Sequence, residues 1–117
     1  MSDITRIEQN ARRSRASVFG DLVFLAGHVA DTKTADITQQ TKEVLAKIDD
    51  MLARSGTDKS RLLSVQIWLK TMDDFDAMNA VYDAWVVPGN VPGRACGKVE
   101  LADPAYLIEV IAIAARR

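Results

Sequence analysis

Two stretches of this chain are apolar at nearly every position: Leu22-Val23-Phe24-Leu25-Ala26, and Tyr106 to Ala115 with Glu109 as its one charge. Both are strand-length and bounded by turn residues. The first is expected to be a strand covered on both faces. Only two segments elsewhere have helical periodicity. Two helices cover one face of a sheet, so the other face needs a cover that this chain does not encode. A second copy of the chain is the simplest candidate.

The remaining elements follow from period and punctuation. Ser17 to Phe19 and Leu22 to Ala26 flank Gly20-Asp21, a two-residue connector suited to positive φ, and predict a β-hairpin. Asp36 to Ser55 predicts a helix. Asp36 is its N-cap with Gln39 three residues on, Ile37, Val44, Leu45, Ile48, Met51 and Leu52 form its apolar stripe, and Gly56 stops it. Glu43 with Lys47 and Asp50 with Arg54 are expected i,i+4 pairs. Arg61 to Lys70 alternates as a strand, with Leu63, Val65, Ile67 and Leu69 on one face. Asp73 to Val87 predicts a second helix that buries Phe75, Met78, Val81, Tyr82 and Trp85 and halts at Pro88. Gly89 to Gly93 is a turn-rich loop. Arg94 to Glu100 and Tyr106 to Ala115 are the last strands. Met1 to Ser14, with Asp3, Glu8, Arg12 and Arg13 and few apolar side chains, reads as a partly ordered lead-in. The order is β-β-α-β-α-β-β, an α+β fold with both helices on one face of a mixed sheet.

Composition narrows the function classes. The 117 residues suit a single domain, 1-117, with one core. Fifteen Lys and Arg against sixteen Asp and Glu give a net charge of −1, which argues against nucleic acid as a partner. No apolar run approaches the roughly 20 residues of a membrane span, and the N-terminus has no signal-peptide core, so neither membrane nor secretion is expected. Cys96 is the single cysteine, which fits a reducing, cytoplasmic location. With His28 the single histidine, the usual zinc ligand sets cannot be assembled within one chain, and no metal is expected. A chain this short has little room for a deep private pocket, which favours a site shared between subunits.

Six residues are candidates for chemistry. Glu109 lies in an apolar strand. There it is either an edge carboxylate or ion-pair member, or a desolvated acid-base group of raised pKa. Arg94 opens a strand after Pro92-Gly93. It is a solvated loop cation, a partner of Glu109, or a fork for a substrate carboxylate. Cys96 shares its strand face and is either a small buried hydrophobe or a thiol activated by Arg94. His28 is a pocket-lining residue or a general base. Asn79 is a helix-surface amide or a support for a loop backbone. Arg13 becomes the sixth only through a family resemblance. The six glycines form no phosphate-cradling pattern.

The chain resembles the RidA (YjgF) family from about Ala16 to Arg117. The matching stretches are Leu22 to Gly27, Asp74 to Trp85, Val91-Pro92-Gly93-Arg94-Ala95-Cys96 and Ile108 to Ala114. The resemblance implies a chorismate-mutase-like α+β fold and a homotrimer. Its sheets form a central barrel with a pocket at each subunit interface. It implies hydrolysis of enamines and imines, such as 2-aminoacrylate and 2-iminobutyrate, to 2-keto acids and ammonia without a cofactor. Carried onto this sequence, Arg94 binds the substrate carboxylate and Glu109 activates water. Cys96 lines the pocket, and Asn79 supports a loop beside it.

Two departures mark a divergent branch. Arg13-Ser14-Arg15-Ala16 replaces the Gly-Pro-Tyr-Ser-Gln type segment, so Arg13 stands where an aromatic closes the family's pocket. Ala26-Gly27-His28 replaces Ser-Gly-Gln, which removes a hydroxyl and brings His28 to the pocket wall. The expected function is an enamine/imine deaminase. The alternative is a non-catalytic protein that binds a small carboxylate metabolite at the same interface. The ribonuclease or translation-inhibitor role attached to some relatives is disfavoured by the charge and by the absence of an aromatic-basic stripe.

Overall fold

The structure is a computed structural model that describes residues 3–116; Met1 and Ser2 of the expected lead-in and the terminal Arg117 lie outside that range. Six strands and two helices run in the order β1 (Ile4–Ile7), β2 (Ala16–Phe19), β3 (Leu22–Leu25), α1 (Ile37–Arg54), β4 (Leu62–Leu69), α2 (Phe75–Trp85), β5 (Gly93–Lys98) and β6 (Ile108–Ala115). The sheet order is β1-β2-β3-β6-β4-β5. All neighbours are antiparallel except β4 and β5, which run parallel through the α2 crossover.

The expected hairpin forms, with Gly20 at φ 60 between β2 and β3. The Asp36 carboxylate accepts from the Gln39 N–H at 2.9 Å and caps α1. The α1 stripe of Val44, Leu45, Ile48, Met51 and Leu52 is buried against Val23, Val65, Ile67, Val110 and Ala112 of the sheet. Gln40 is fully buried on the same side. Its amide donates to the Ala35 and Ala105 carbonyls and accepts from the Leu107 N–H at 3.0 Å, tying α1 to the approach to β6. Each of its polar atoms is satisfied, which is what permits an amide there.

Several expectations need correction. The lead-in contains a strand: Ile4 to Ile7 adds to the outer edge of β2, pairing Ile4 with Phe19 and Ile7 with Ala16. Backbone pairing with β2 holds it, and of its side chains Ile7 packs against the core. Its side chains stay mostly exposed, so the sequence carries no apolar alternation there. The element order is therefore β-β-β-α-β-α-β-β. Lys47 does not pair with Glu43. It reaches Asp31 at 2.6 Å and the Val29 carbonyl at 2.8 Å, while Glu43 accepts from the Thr32 N–H and the Gln39 amide. Asp50 and Arg54 do pair, at 3.7 Å. Met72 to Asp74 form a 3₁₀ turn before α2, and Tyr106 and Leu107 precede β6 rather than opening it.

Both helices lie on one side of the sheet. On β6, Ile108, Val110, Ala112 and Ala114 are buried beneath them, while Glu109, Ile111 and Ile113 alternate onto the opposite, open face. Leu22 and Phe24, expected to be covered on both faces, are 40% and 42% exposed there, together with Ile4 and Phe19. One chain thus leaves an apolar sheet face open to water.

Candidate active site

Arg94 is held by helix α2 at the free edge of the sheet. It sits opposite Val65, a buried residue, so its side chain rises on the helix face. The guanidinium lies 4.8 Å from the Tyr82 ring centre and 5.9 Å from that of Phe75. One of its N–H groups donates to the Asn79 side-chain oxygen at 2.7 Å. Phe75, Asn79 and Tyr82 recur at i, i+4 and i+7, one face of a helix, so a single element supplies the whole platform. Stacking and one hydrogen bond fix the guanidinium plane, and its other N–H groups remain exposed as a fork. Asn79 therefore holds Arg94 rather than a loop backbone. Among the described residues no carboxylate pairs with Arg94.

Cys96 follows on the same face and packs half-buried against the core. Burial pushes its thiol above the ordinary 9.0, and the nearby Arg94 charge offsets this only in part. That is the environment of a small hydrophobe, not of an activated nucleophile.

Glu109 stands directly across from Trp68 on the open face. Its carboxylate lies against Gly27: a Cβ built on Gly27 would fall 2.0 Å from the Glu109 Oε2. Any side chain at this position would displace the carboxylate from where it now lies. No hydrogen bond or ion pair to Glu109 forms among the described residues. Burial raises its pKa above the ordinary 4.5 with no cation to counter it. A carboxylate in this setting holds a proton more readily than a solvated one, which suits it to take and return protons.

Arg94 and Glu109 occupy opposite faces of one sheet. Arg94 shares the face of Ile67 and Val65, while Glu109 shares that of Trp68. They form no ion pair within a protomer, and one chain does not bring them together.

His28 is 4% exposed. Its Nδ1 lies 2.7 Å from the Ala26 carbonyl, which can only accept, so that nitrogen carries the proton. Nε2 then accepts from the Arg15 Nε–H at 3.3 Å. Burial holds its pKa below the ordinary 6.5, helped by the charges of Arg15, Lys47 and Arg13 and opposed by the Ala26 bond. With both nitrogens committed, His28 is not a free base. Arg13 lies in the loop after β1, its N–H and that of Arg12 both donating to the Asn10 Oδ1 at 2.8 Å. Glu8, at φ 49, pairs with Arg15 and Arg54. Among the described residues no three of His, Cys, Asp and Glu gather where they could hold a metal ion.

The model of the family described as endoribonuclease L-PSP matches residues 4–116. The chain belongs to this family, whose members are also called RutC and YjgF proteins. A RutC family protein of Haemophilus ducreyi is 40% identical over 112 residues, covering 96% of each chain. YoaB, a RutC family protein of Escherichia coli, is 38% identical over 96% of this chain and 97% of its own. Among solved structures, a YjgF family protein of Neisseria meningitidis superposes with a TM-score of 0.96 at 39% identity, covering 98% of this chain and 96% of that one. A Pseudomonas aeruginosa protein superposes equally well, at 39% identity over 98% and 100% of the two chains. The RidA (YjgF) resemblance in the sequence and its α+β fold are thus borne out.

For a YjgF-family chain, two features of this site were hidden from sequence reasoning. Phe75 and Tyr82, expected in the core, also form the seat of Arg94; their shared helical face with Asn79 is the available signal. Gly27 read as a strand terminator, and only the fold shows it as the floor beneath Glu109.

Proposed function

We propose that this protein is an enamine/imine deaminase that hydrolyses 2-imino acids to 2-keto acids and ammonia in the cytoplasm, at sites shared between the subunits of a homotrimer. The observation that carries the reading is Glu109: a desolvated carboxylate, without a partner, in an apolar face that needs a second copy to cover it. Arg94 supplies the complementary half from the sheet edge. Because the two occupy opposite faces, Arg94 of one protomer works with Glu109 of a neighbour.

The chemistry follows from these groups. The Arg94 fork takes the substrate carboxylate through two parallel hydrogen bonds and fixes the imine carbon in place. Glu109 accepts a proton from water as the oxygen attacks that carbon, giving a tetrahedral carbinolamine. Glu109 returns that proton to nitrogen, completing the amine of the carbinolamine, and then relays the hydroxyl proton to the same nitrogen as the C–N bond breaks and the C=O bond forms, so ammonia departs and Glu109 ends ionised as it began. For an enamine, protonated Glu109 first delivers its proton to the terminal carbon.

The test generates 2-imino acids in situ with an amino-acid oxidase and follows 2-keto acid release. The wild-type protein should accelerate release. Arg94→Ala should abolish the acceleration with the fold intact, and Glu109→Gln should lower kcat by about 10²–10⁴-fold. Mixing the two variants after subunit exchange should restore about a quarter of the activity, since only that share of interfaces would carry both wild-type residues. No acceleration over several 2-imino acids would end this reading. A second reading, a non-catalytic carboxylate-binding protein, is favoured by the Arg94 seat, which is complete without Glu109. It predicts that 2-keto acid binding is lost in Arg94→Ala and kept in Glu109→Gln, with no catalysis by the wild type.

A further inference from the structure

The Glu109 side chain lies in the space that a Cβ on residue 27 would take. A residue without a Cβ is also the one whose φ and ψ are least restricted by sterics. The peptide beneath the carboxylate therefore has to be held by hydrogen bonds. Gly27 supplies none of its own: among the described residues neither its N–H nor its carbonyl forms one.

The residues on either side do. The Ala26 N–H donates to the Arg15 carbonyl at 3.0 Å, and His28 exchanges both backbone hydrogen bonds with Val110, at 2.9 and 3.0 Å. These bonds anchor the two ends of the segment but leave the Ala26–Gly27 peptide plane able to turn between them. The His28 imidazole closes that freedom. Its Nδ1–H donates back across Gly27 to the Ala26 carbonyl at 2.7 Å, a bond that any rotation of the peptide would break. The ring is itself held. Its Nε2 accepts from the Arg15 Nε–H, and the Arg15 guanidinium is paired with Glu8, which Arg54 of α1 also holds.

His28 stands opposite Val110, whose side chain is buried beneath the helices, so the ring lies on the helix face while the Glu109 carboxylate lies on the open face. The imidazole bonds to Ala26 and Arg15 and not to Glu109. It reaches the carboxylate only through the Gly27 backbone. The side chain needed for this has one donor for a carbonyl and one acceptor for a guanidinium. A neutral imidazole has both, a glutamine amide has both, and leucine has neither.

We infer that His28 is a positioning residue for Glu109: its imidazole locks the Ala26–Gly27 peptide and so fixes where the carboxylate rests. The effect on catalysis rests on the deaminase reading; the positioning does not. The protein has four glutamates, so glutamate labelled with 13C at the side-chain carboxyl gives four NMR signals, and that of Glu109 is the one missing from Glu109→Gln. In His28→Leu the Glu109 titration midpoint should fall from its wild-type value toward the ordinary 4.5, as water reaches the loosened carboxylate. The kcat for imine hydrolysis should fall by about a hundredfold with KM nearly unchanged, because Arg94 still takes the substrate carboxylate. His28→Gln should bring both midpoint and kcat back close to wild type. Arg15→Met, at a partly exposed position, frees the ring from its other side and should move both readouts in the same direction, so the test does not depend on His28→Leu folding. A Glu109 midpoint that stays at the wild-type value in folded His28→Leu or in Arg15→Met, or that falls as far in His28→Gln, would overturn the inference. A midpoint that falls and recovers as described, in a protein that hydrolyses no imine, keeps the inference and removes the deaminase reading. Imine hydrolysis with an unmoved midpoint does the reverse.

Discussion

At the residue scale, Glu109 and His28 show how one physical term, desolvation, acts oppositely on an acid and a base. Burial raises the Glu109 pKa, so the folded chain binds its proton more tightly than the unfolded chain. The unfolded state then holds fewer protons, and stability falls as pH rises from the ordinary 4.5 toward the raised folded value. Glu109→Gln removes this penalty. Its denaturant midpoint should exceed that of the wild type above this window and match it in acid. His28 behaves in reverse. Its lowered folded pKa means that stability is lost as pH falls below 6.5, and His28→Gln should flatten that part of the stability–pH curve. Gly27 is the third telling residue. In Gly27→Ala the new methyl meets the mobile end of Glu109, so the carboxylate swings aside cheaply. Imine hydrolysis should drop by about a hundredfold with little change in Tm.

At the element scale, helix α1 and strand β6 are coupled through Gln40. Replacing it by Met keeps the volume but strands the Leu107 N–H, two residues before Glu109. The expected cost is about 1–3 kcal/mol in chemical denaturation. The elements themselves were largely legible. The stripes of α1 and α2, the Asp36 cap, the Gly20 turn and the alternation of β4 from Val65 to Leu69 are local patterns, and local physics decides them; at the start of β4 a bulge buries Leu62 and leaves Leu63, expected on the core face, exposed. Strand β1 was not legible, because an edge strand held mainly by backbone pairing, with one side chain, Ile7, against the core, needs no apolar alternation. The Glu43–Lys47 pair failed for a related reason: a tertiary partner, Asp31, outcompeted the helical neighbour.

At the scale of the whole molecule, the open apolar face is the decisive feature. A solution mass of three chains is expected. Phe24→Asp adds a charge to a side chain already 42% exposed in the single chain, so each chain should still fold. The variant should sediment as a smaller species than the wild type and, on the proposed function, lose imine hydrolysis with the change in assembly. The sequence by itself determined the two-helix, mixed-sheet architecture, the need for an outside cover and the identity of Arg94 and Glu109 as the residues to watch. The first two follow from periodicity, a property of short segments, and the two residues stand out by their strand settings taken together with the family resemblance. Only the tertiary structure decided that these two residues rise on opposite faces, that α2 seats Arg94 on Tyr82 and Phe75, that His28 is committed to Ala26 and Arg15, and that Gly27 lies under the carboxylate. Those facts depend on strand order and register, which bring together residues far apart in the chain.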